Sequence, residues 1–247
     1  MIIYPDIELQ GGQCVNLIRG HRDDPVVYDM SPLDAAMDCA AQGAEWLHVV
    51  DLDAVFGDGE NSDLIVEIIR RAGTPVQVAG GIRTIDTIRN WIEAGAGRVV
   101  ISTAAVKDPH FVSAAATAYP GQVVISIDAR DGKVVSEGWR EPTIFSPVEF
   151  AQQFQALPLA AIIFTDIDCY DEAPESSLAQ TTELAAQVRT PVIASGVVKN
   201  LDDLSRLRYL PNISGAITGR ALFGGAFTLA EAIQVATETA SPTAQPV

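Results

Sequence analysis

Thr74-Pro75-Val76-Gln77-Val78-Ala79-Gly80-Gly81 and Thr190-Pro191-Val192-Ile193-Ala194-Ser195-Gly196-Val197 are two copies of one pattern, 116 residues apart (74 to 190). Each is a Thr-Pro, a short apolar run and a turn of small residues. An apolar run of this length reads as a strand buried on both faces, as in parallel sheets. The same spacing pairs Asp86 with Asp202, and Ile101-Ser102-Thr103-Ala104-Ala105-Val106 with Ile217-Thr218-Gly219-Arg220-Ala221-Leu222. Upstream, Glu8, Gly12 and Val15 are spaced like Asp128, Gly132 and Val135, 120 residues later (8 to 128). Several ordered pairs make chance likeness between βα units a poor explanation, so the chain reads as two repeated halves.

Around these copies, strands are expected near Ile2–Glu8, Trp46–Asp51, Pro75–Val78, Arg98–Ser102, Gln122–Asp128, Ala160–Thr165, Pro191–Ala194 and Gly215–Thr218. Helices lie between them. Ser31-Pro32-Leu33-Asp34 and Ser146-Pro147-Val148-Glu149 each give an N-cap, a Pro at the first helical position and an acid at the third. Eight strands alternating with helices in 247 residues predict one α/β domain, a (β/α)8 TIM barrel built from two half-barrels. An open doubly wound sheet is the alternative. The barrel is expected over 1–239, with a loose tail over 240–247.

Composition narrows the setting. A net charge of −16 disfavours nucleic acid and anionic membranes, which need a basic face. No apolar run approaches a membrane span. Met1-Ile2-Ile3-Tyr4-Pro5-Asp6 reads as a first strand rather than a signal peptide. Cys14, Cys39 and Cys169 have a spacing that suits neither a metal site nor a disulfide framework, so a reducing cytoplasm is expected. The expected state is a cytoplasmic monomer.

Barrel sites sit at the C-terminal ends of strands, and three repeated features fall there. Glu8 and Asp128 end the first and fifth strands. Gly80-Gly81, followed by Arg83, and Ser195-Gly196 are turns after the third and seventh. Thr103 and Gly219-Arg220 open helices after the fourth and eighth. Glycine lets backbone N–H groups approach an anion, and a helix N-terminus adds a favourable dipole. Each neighbouring pair of strands therefore predicts one phosphate site, half a barrel from the other. The ligand inferred is a small molecule with a phosphate at each end and its middle between two carboxylates. Two such carboxylates suit general acid and base work, with no metal and no cofactor. Val197, standing where the first turn has Gly81, is expected to weaken the second phosphate site.

Plainer readings stand beside these. A Gly-Gly after a strand is often only a tight turn, and an acid at a strand end often caps a loop. Trp139 either anchors a loop on the rim or stacks on a flat heteroaromatic ring. Thr165-Asp166, ending the sixth strand, can bond a substrate or a neighbouring loop. His48 reads as a satisfied core residue, and His21 and His110 as loop and surface residues.

Over nearly its whole length the chain resembles the phosphoribosylformimino-5-aminoimidazole carboxamide ribotide isomerase family of histidine biosynthesis, and more distantly its sister cyclase. The likeness is carried by Glu45–Asp53, Pro75–Arg83, Thr103–Val106, Asp128–Val134, Gly138-Trp139 and Pro191–Gly196. It implies an Amadori rearrangement of an aminoaldose to an aminoketose, with the Glu8 position as base and Asp128 as acid. The chain also departs from the family. Asp6-Ile7-Glu8-Leu9 stands where the family reads Ala-Ile-Asp-Leu, and Asn16 where it has Arg. Asp168-Cys169-Tyr170-Asp171-Glu172 lacks the family's basic residue and glycine, and Ser102 replaces a Gly. These departures leave open a paralogue acting on another phosphorylated sugar, or a barrel that only binds a phosphate ligand.

Overall fold

The computed structural model describes residues 1–18, 20–167 and 174–238. The tail over 240–247 and the divergent segment over 168–173 lie outside the described residues. In chain order the strands are β1 (Ile2–Gln10), β2 (Gln13–Asn16), β3 (Val26–Val27), β4 (Leu47–Asp51), β5 (Val76–Ala79) and β6 (Arg98–Ile101). They continue as β7 (Val123–Arg130), β8 (Lys133–Ser136), β9 (Glu141–Pro142), β10 (Ala161–Asp166), β11 (Val192–Ser195) and β12 (Ile213–Thr218). Parallel pairing runs β1–β4–β5–β6–β7–β10–β11–β12 and returns from β12 to β1. The ring is closed, which excludes the open-sheet alternative and makes the fold a (β/α)8 barrel. Among the described residues, no helix is long and apolar enough to cross a membrane.

The two halves fold alike where the sequence repeats. β1 turns into β2 with Glu8 opposite Val15, and β7 turns into β8 with Asp128 opposite Val135. Sequence patterning did not foresee these hairpins, because four-residue and two-residue strands carry too little periodicity to register. The helix starts are as expected. Ser31 accepts the Asp34 N–H, and Ser146 forms a full capping box with Glu149.

Alternation along β1 sets the rest. Ile3, Ile7 and Leu9 pack outward into the core shared with the helices. Tyr4 points inward and joins Val100, Val124, Ile163, Ile193 and Ile217 in a cluster that fills the lower barrel. Its hydroxyl accepts a hydrogen bond from Arg98 at 3.2 Å, and the Arg98 guanidinium lies over the Trp46 ring, 4.2 Å from its centroid. Asp6 and Glu8 continue the inward row above this plug.

A buried knot fixes the top of β1. Asp51, 1% exposed, caps the helix Leu52–Phe56 and accepts from the Asn61 N–H at 2.7 Å and the Asn61 side chain at 2.8 Å. Asn61 also donates to Asp53 at 2.8 Å and accepts from the Gly12 N–H at 3.0 Å, while Asp53 accepts from the Gly11 N–H at 2.7 Å. The hairpin turn after β1 is thereby tied to the loop after β4. Asn61→Ala should cost about 2–4 kcal/mol in urea unfolding, because it strands charged acceptors in a buried site. A loss under about 0.5 kcal/mol would mean that water replaces the amide without penalty.

Candidate active site

The C-terminal ends of the barrel strands enclose a cavity of about 230 Å³. It is lined by both acids singled out from sequence, Glu8 and Asp128, and by Gly80, Gly81, Arg83, Thr103, Trp139, Thr165, Ser195, Gly196, Gly219 and Arg220. β1 and β7 lie four strands apart round the ring in either direction, so the two acids face one space from opposite walls. Lys199, three residues beyond Gly196, is not part of this lining; its N–H donates to Asp203 at 2.9 Å.

The two small-residue turns are built differently. Gly80 and Gly81 have φ of 105° and 65°. A Cβ on Gly80 would meet the Asp51 carbonyl oxygen at 2.3 Å, and one on Gly81 would meet the Ala54 Cβ at 2.8 Å. Packing on the helix Leu52–Phe56 thus requires both glycines whether or not an anion binds. In the second turn Gly196 has φ of 73°, but Val197 lies outside the left-handed region and is buried in the outer core. The left-handed strain expected at Val197 is therefore absent. Its branched side chain fills core space, and the turn takes its only left-handed step at Gly196.

The loop carrying Trp139 is held in a costly conformation. Glu137, Gly138 and Trp139 have φ of 55°, 61° and 64°, a region that side-chain-bearing residues avoid by roughly 1–2 kcal/mol each. Several bonds hold it there. The Glu137 N–H donates to Thr103 at 3.0 Å, its carboxylate pairs with Lys107, and Arg130 donates to the Trp139 carbonyl at 3.1 Å. The indole packs edge-on against Phe56 at 6.2 Å and lies over Gly20. It lines the same cavity as Asp128 and favours that acid's charged form. Trp139 is therefore a rim anchor in this structure, with its polar edge turned to the acid.

Asp128 accepts from Ser126 at 3.4 Å and Ser102 at 3.5 Å, and the Thr165 and Trp139 side chains share its cavity. Burial raises its carboxyl above the ordinary range, and the surrounding Thr165, Trp139, Ser126 and Ser102 side chains oppose that rise. Glu8 accepts from Asn16 at 3.0 Å and the Leu17 N–H at 3.1 Å. Burial pushes it to about 7. Asp6, also lining the cavity, is raised by burial and then by the neighbouring Glu8 charge, and its Oδ1 has no partner.

His48 is a buried, bonded residue as expected, with Nδ1 3.0 Å from the Gln77 amide, but it also lines the cavity. Burial lowers it to about 4, so it is neutral near pH 7. Asp166 lines the cavity and accepts from Gln180, on the helix Pro174–Gln187 rather than a loop, at 2.7 Å. Sequence reasoning missed Ser102 and Ser126 as partners of Asp128, and Asn16 as the partner of Glu8. The two-residue alternation of β7 was the available signal for Ser126, which shares the inward face with Asp128.

A family model described as "Histidine biosynthesis protein" matches residues 2–228. The chain belongs to this family. Among its relatives is the 1-(5-phosphoribosyl)-5-((5-phosphoribosylamino)methylideneamino) imidazole-4-carboxamide isomerase 2 of Ruegeria pomeroyi. It is 47% identical over 245 residues, covering 99% of each chain. The isomerase numbered 1 from a Ruegeria sp. strain is also 47% identical, over 100% of this chain and 98% of its own. The isomerase numbered 2 from that strain is 43% identical over 95% of this chain and 99% of its own. The family likeness carried by the motifs is borne out over the whole barrel.

The Glu8 shift has a testable sign. Its folded value of about 7 exceeds the ordinary 4.5, so ionising it opposes folding. Below the ordinary value Glu8 is protonated in both states and adds no penalty. Stability is lost as the pH rises through the folded value. Glu8→Gln should therefore gain in unfolding temperature relative to the parent between about pH 5 and pH 8. A difference that stays flat across that range would refute the assignment.

Proposed function

We propose that this chain is a cofactor-independent aldose–ketose isomerase. It catalyses an Amadori rearrangement of a two-phosphate ribotide in histidine biosynthesis. The observation that carries this reading is the placement of Glu8 and Asp128 on opposite walls of one cavity, between two half-barrel turns related by the repeat. The kinship with imidazole carboxamide isomerases supports it. The turns at Gly81–Thr103 and Gly196–Gly219 take one phosphate each, and Arg83 and Arg220 supply positive charge. Asp128 protonates the ribose ring oxygen, and the C1–O bond breaks to leave a protonated Schiff base. Glu8 removes the C2 proton, the electron pair moves to form the enolamine, and tautomerisation gives the ketone. Every atom and electron is retained in the substrate, so no redox partner is required. The working protein is a cytoplasmic monomer that binds neither nucleic acid nor membrane.

A second reading is favoured by the paired change at Glu8 and Asn16, which are hydrogen-bonded to each other. The base position and its partner have moved together, as a site retuned for another phosphorylated sugar would require. The pair of numbered isomerases in one Ruegeria strain supports the idea that such copies coexist.

Assay of the imidazole carboxamide bisphosphate tests both readings. Asp128→Asn should lower kcat by roughly 100-fold or more, with affinity held within a few-fold by the phosphates. Glu8→Asp separates the readings. A faster variant means a pathway isomerase slowed by its longer acid, whereas a slower one means a site built around Glu8. Binding without turnover by the parent would leave only a phosphate-ligand-binding barrel.

A further inference from the structure

The repeat assigns Asp6 a counterpart. The spacing that takes Glu8 to Asp128, 120 residues (8 to 128), takes Asp6 to Ser126. The hairpins around both pairs have the same register, so the equivalence holds in three dimensions. In the second half, the Ser126 hydroxyl donates to Asp128 at 3.4 Å. In the first half the same place holds a carboxyl, on the same inward face as Glu8 and opening on the same cavity.

An ionised Asp6 has nothing to offer Glu8 but repulsion. Its Oδ1 is buried without a hydrogen-bond partner among the described residues. His48, its register partner on β4, is uncharged near neutrality. Gly219 at the end of β12 packs against the Asp6 side chain. Arg220 follows Gly219, Arg83 stands on the rim, and Asp128 and Asp166 face from β7 and β10. A protonated Asp6, in contrast, carries one O–H donor, as Ser126 does. Glu8 has two donors, Asn16 and the Leu17 N–H, neither of them on its own strand, and this hydrogen bond adds the same-strand donor that Ser126 gives Asp128.

We propose that Asp6 is a positioning residue that stays protonated and donates a hydrogen bond to Glu8, as Ser126 does to Asp128. The two acids thus hold one proton between them, and Glu8 is the member left ionised to act as base. This rests on the isomerase reading for the role of Glu8, but not for the location of the proton.

Carboxyl carbon-13 NMR of the full chain, with aspartate labelled, reads that location directly. The Asp6 signal is assigned by its loss in Asp6→Asn. A protonated Asp6 at neutral pH is the expected result, and an ionised one overturns the proposal whether or not the protein turns over any substrate. Kinetics on the bisphosphate give a second readout. Asp6→Ala should lower kcat roughly 10–100-fold with KM within a few-fold, the size of one lost bond to a charged group. It should also move the acid limb of kcat/KM to higher pH, because Glu8 loses a donor that favours its charged form. A move to lower pH would mean that Asp6 was a charged neighbour, and the proposal would fail. Asp6→Asn keeps a donor that cannot ionise, so it should recover most of the lost rate. Equal damage in both variants would show that Asp6 acts only by packing. If the parent itself has no turnover, the isomerase reading falls and the NMR result alone decides the placement of the proton.

Discussion

A closed ring of parallel strands leaves inward side chains no route to bulk water except the open end, and that constraint governs this molecule. β1 applies it most plainly. Tyr4 lies in the apolar plug with its hydroxyl bonded to Arg98, while Asp6 and Glu8 stand above the plug at the mouth. Because the strand alternates strictly, moving any of these residues by one position would place it against the helices. The same confinement causes the raised carboxyl values at Asp6, Glu8 and Asp128, since burial is the leading cause at each. Fold and chemistry here are two results of one geometric restriction.

The half-barrel repeat supplied the two sides of the site with the same scaffold and then let their details diverge. The hairpin registers agree residue for residue. The turns do not. The first packs its glycines against the helix Leu52–Phe56, while the second turns Val197 into the core. The rims differ as well. After β8 the chain is forced through three left-handed residues to bring Trp139 to Asp128, fastened by Thr103, Lys107 and Arg130. That strain persists because several bonds over-determine it, the usual circumstance at a working site.

Much of this was legible in the sequence. Apolar runs located the eight barrel strands, and the internal spacing identified which strand ends would face each other. The two acids and the turn residues Gly80, Gly81, Thr103, Ser195, Gly196 and Gly219 line the cavity, whereas Val197 of the second turn does not. What escaped were features set by tertiary context. Val197 packs into the outer core and avoids the left-handed region, a tertiary outcome that no local pattern encodes. The short hairpin strands have no period to detect. His48 was read from its place in mid-strand, which predicts burial but not that the inward face opens on the cavity just there. The donors to Asp128 were within reach, because Ser126 and Asp128 share a face of β7. Seeing them required applying the repeat to single residues rather than to motifs.

The charge on the chain poses a last physical question, and the site's own geometry answers it. A protein of net charge −16, with Asp6, Glu8, Asp128 and Asp166 in one cavity, is an unpromising host for a bisphosphate. Confinement changes the count. With burial holding three of these carboxyls above their ordinary range, protons occupy part of the site near neutrality, and the local field is weaker than the formal charges suggest. A phosphate brought near them raises those values further, since an added negative charge penalises each ionised form. On the proposed reading, binding and proton uptake then favour each other. The ligand's own charge would favour the protonated Asp128 that ring opening needs, while Asn16 and the Leu17 N–H favour the charged form of Glu8. An acidic pocket of this kind is therefore compatible with an anionic substrate. The same low-dielectric enclosure that makes the acids reluctant to ionise also makes them useful as a proton donor and acceptor at one pH.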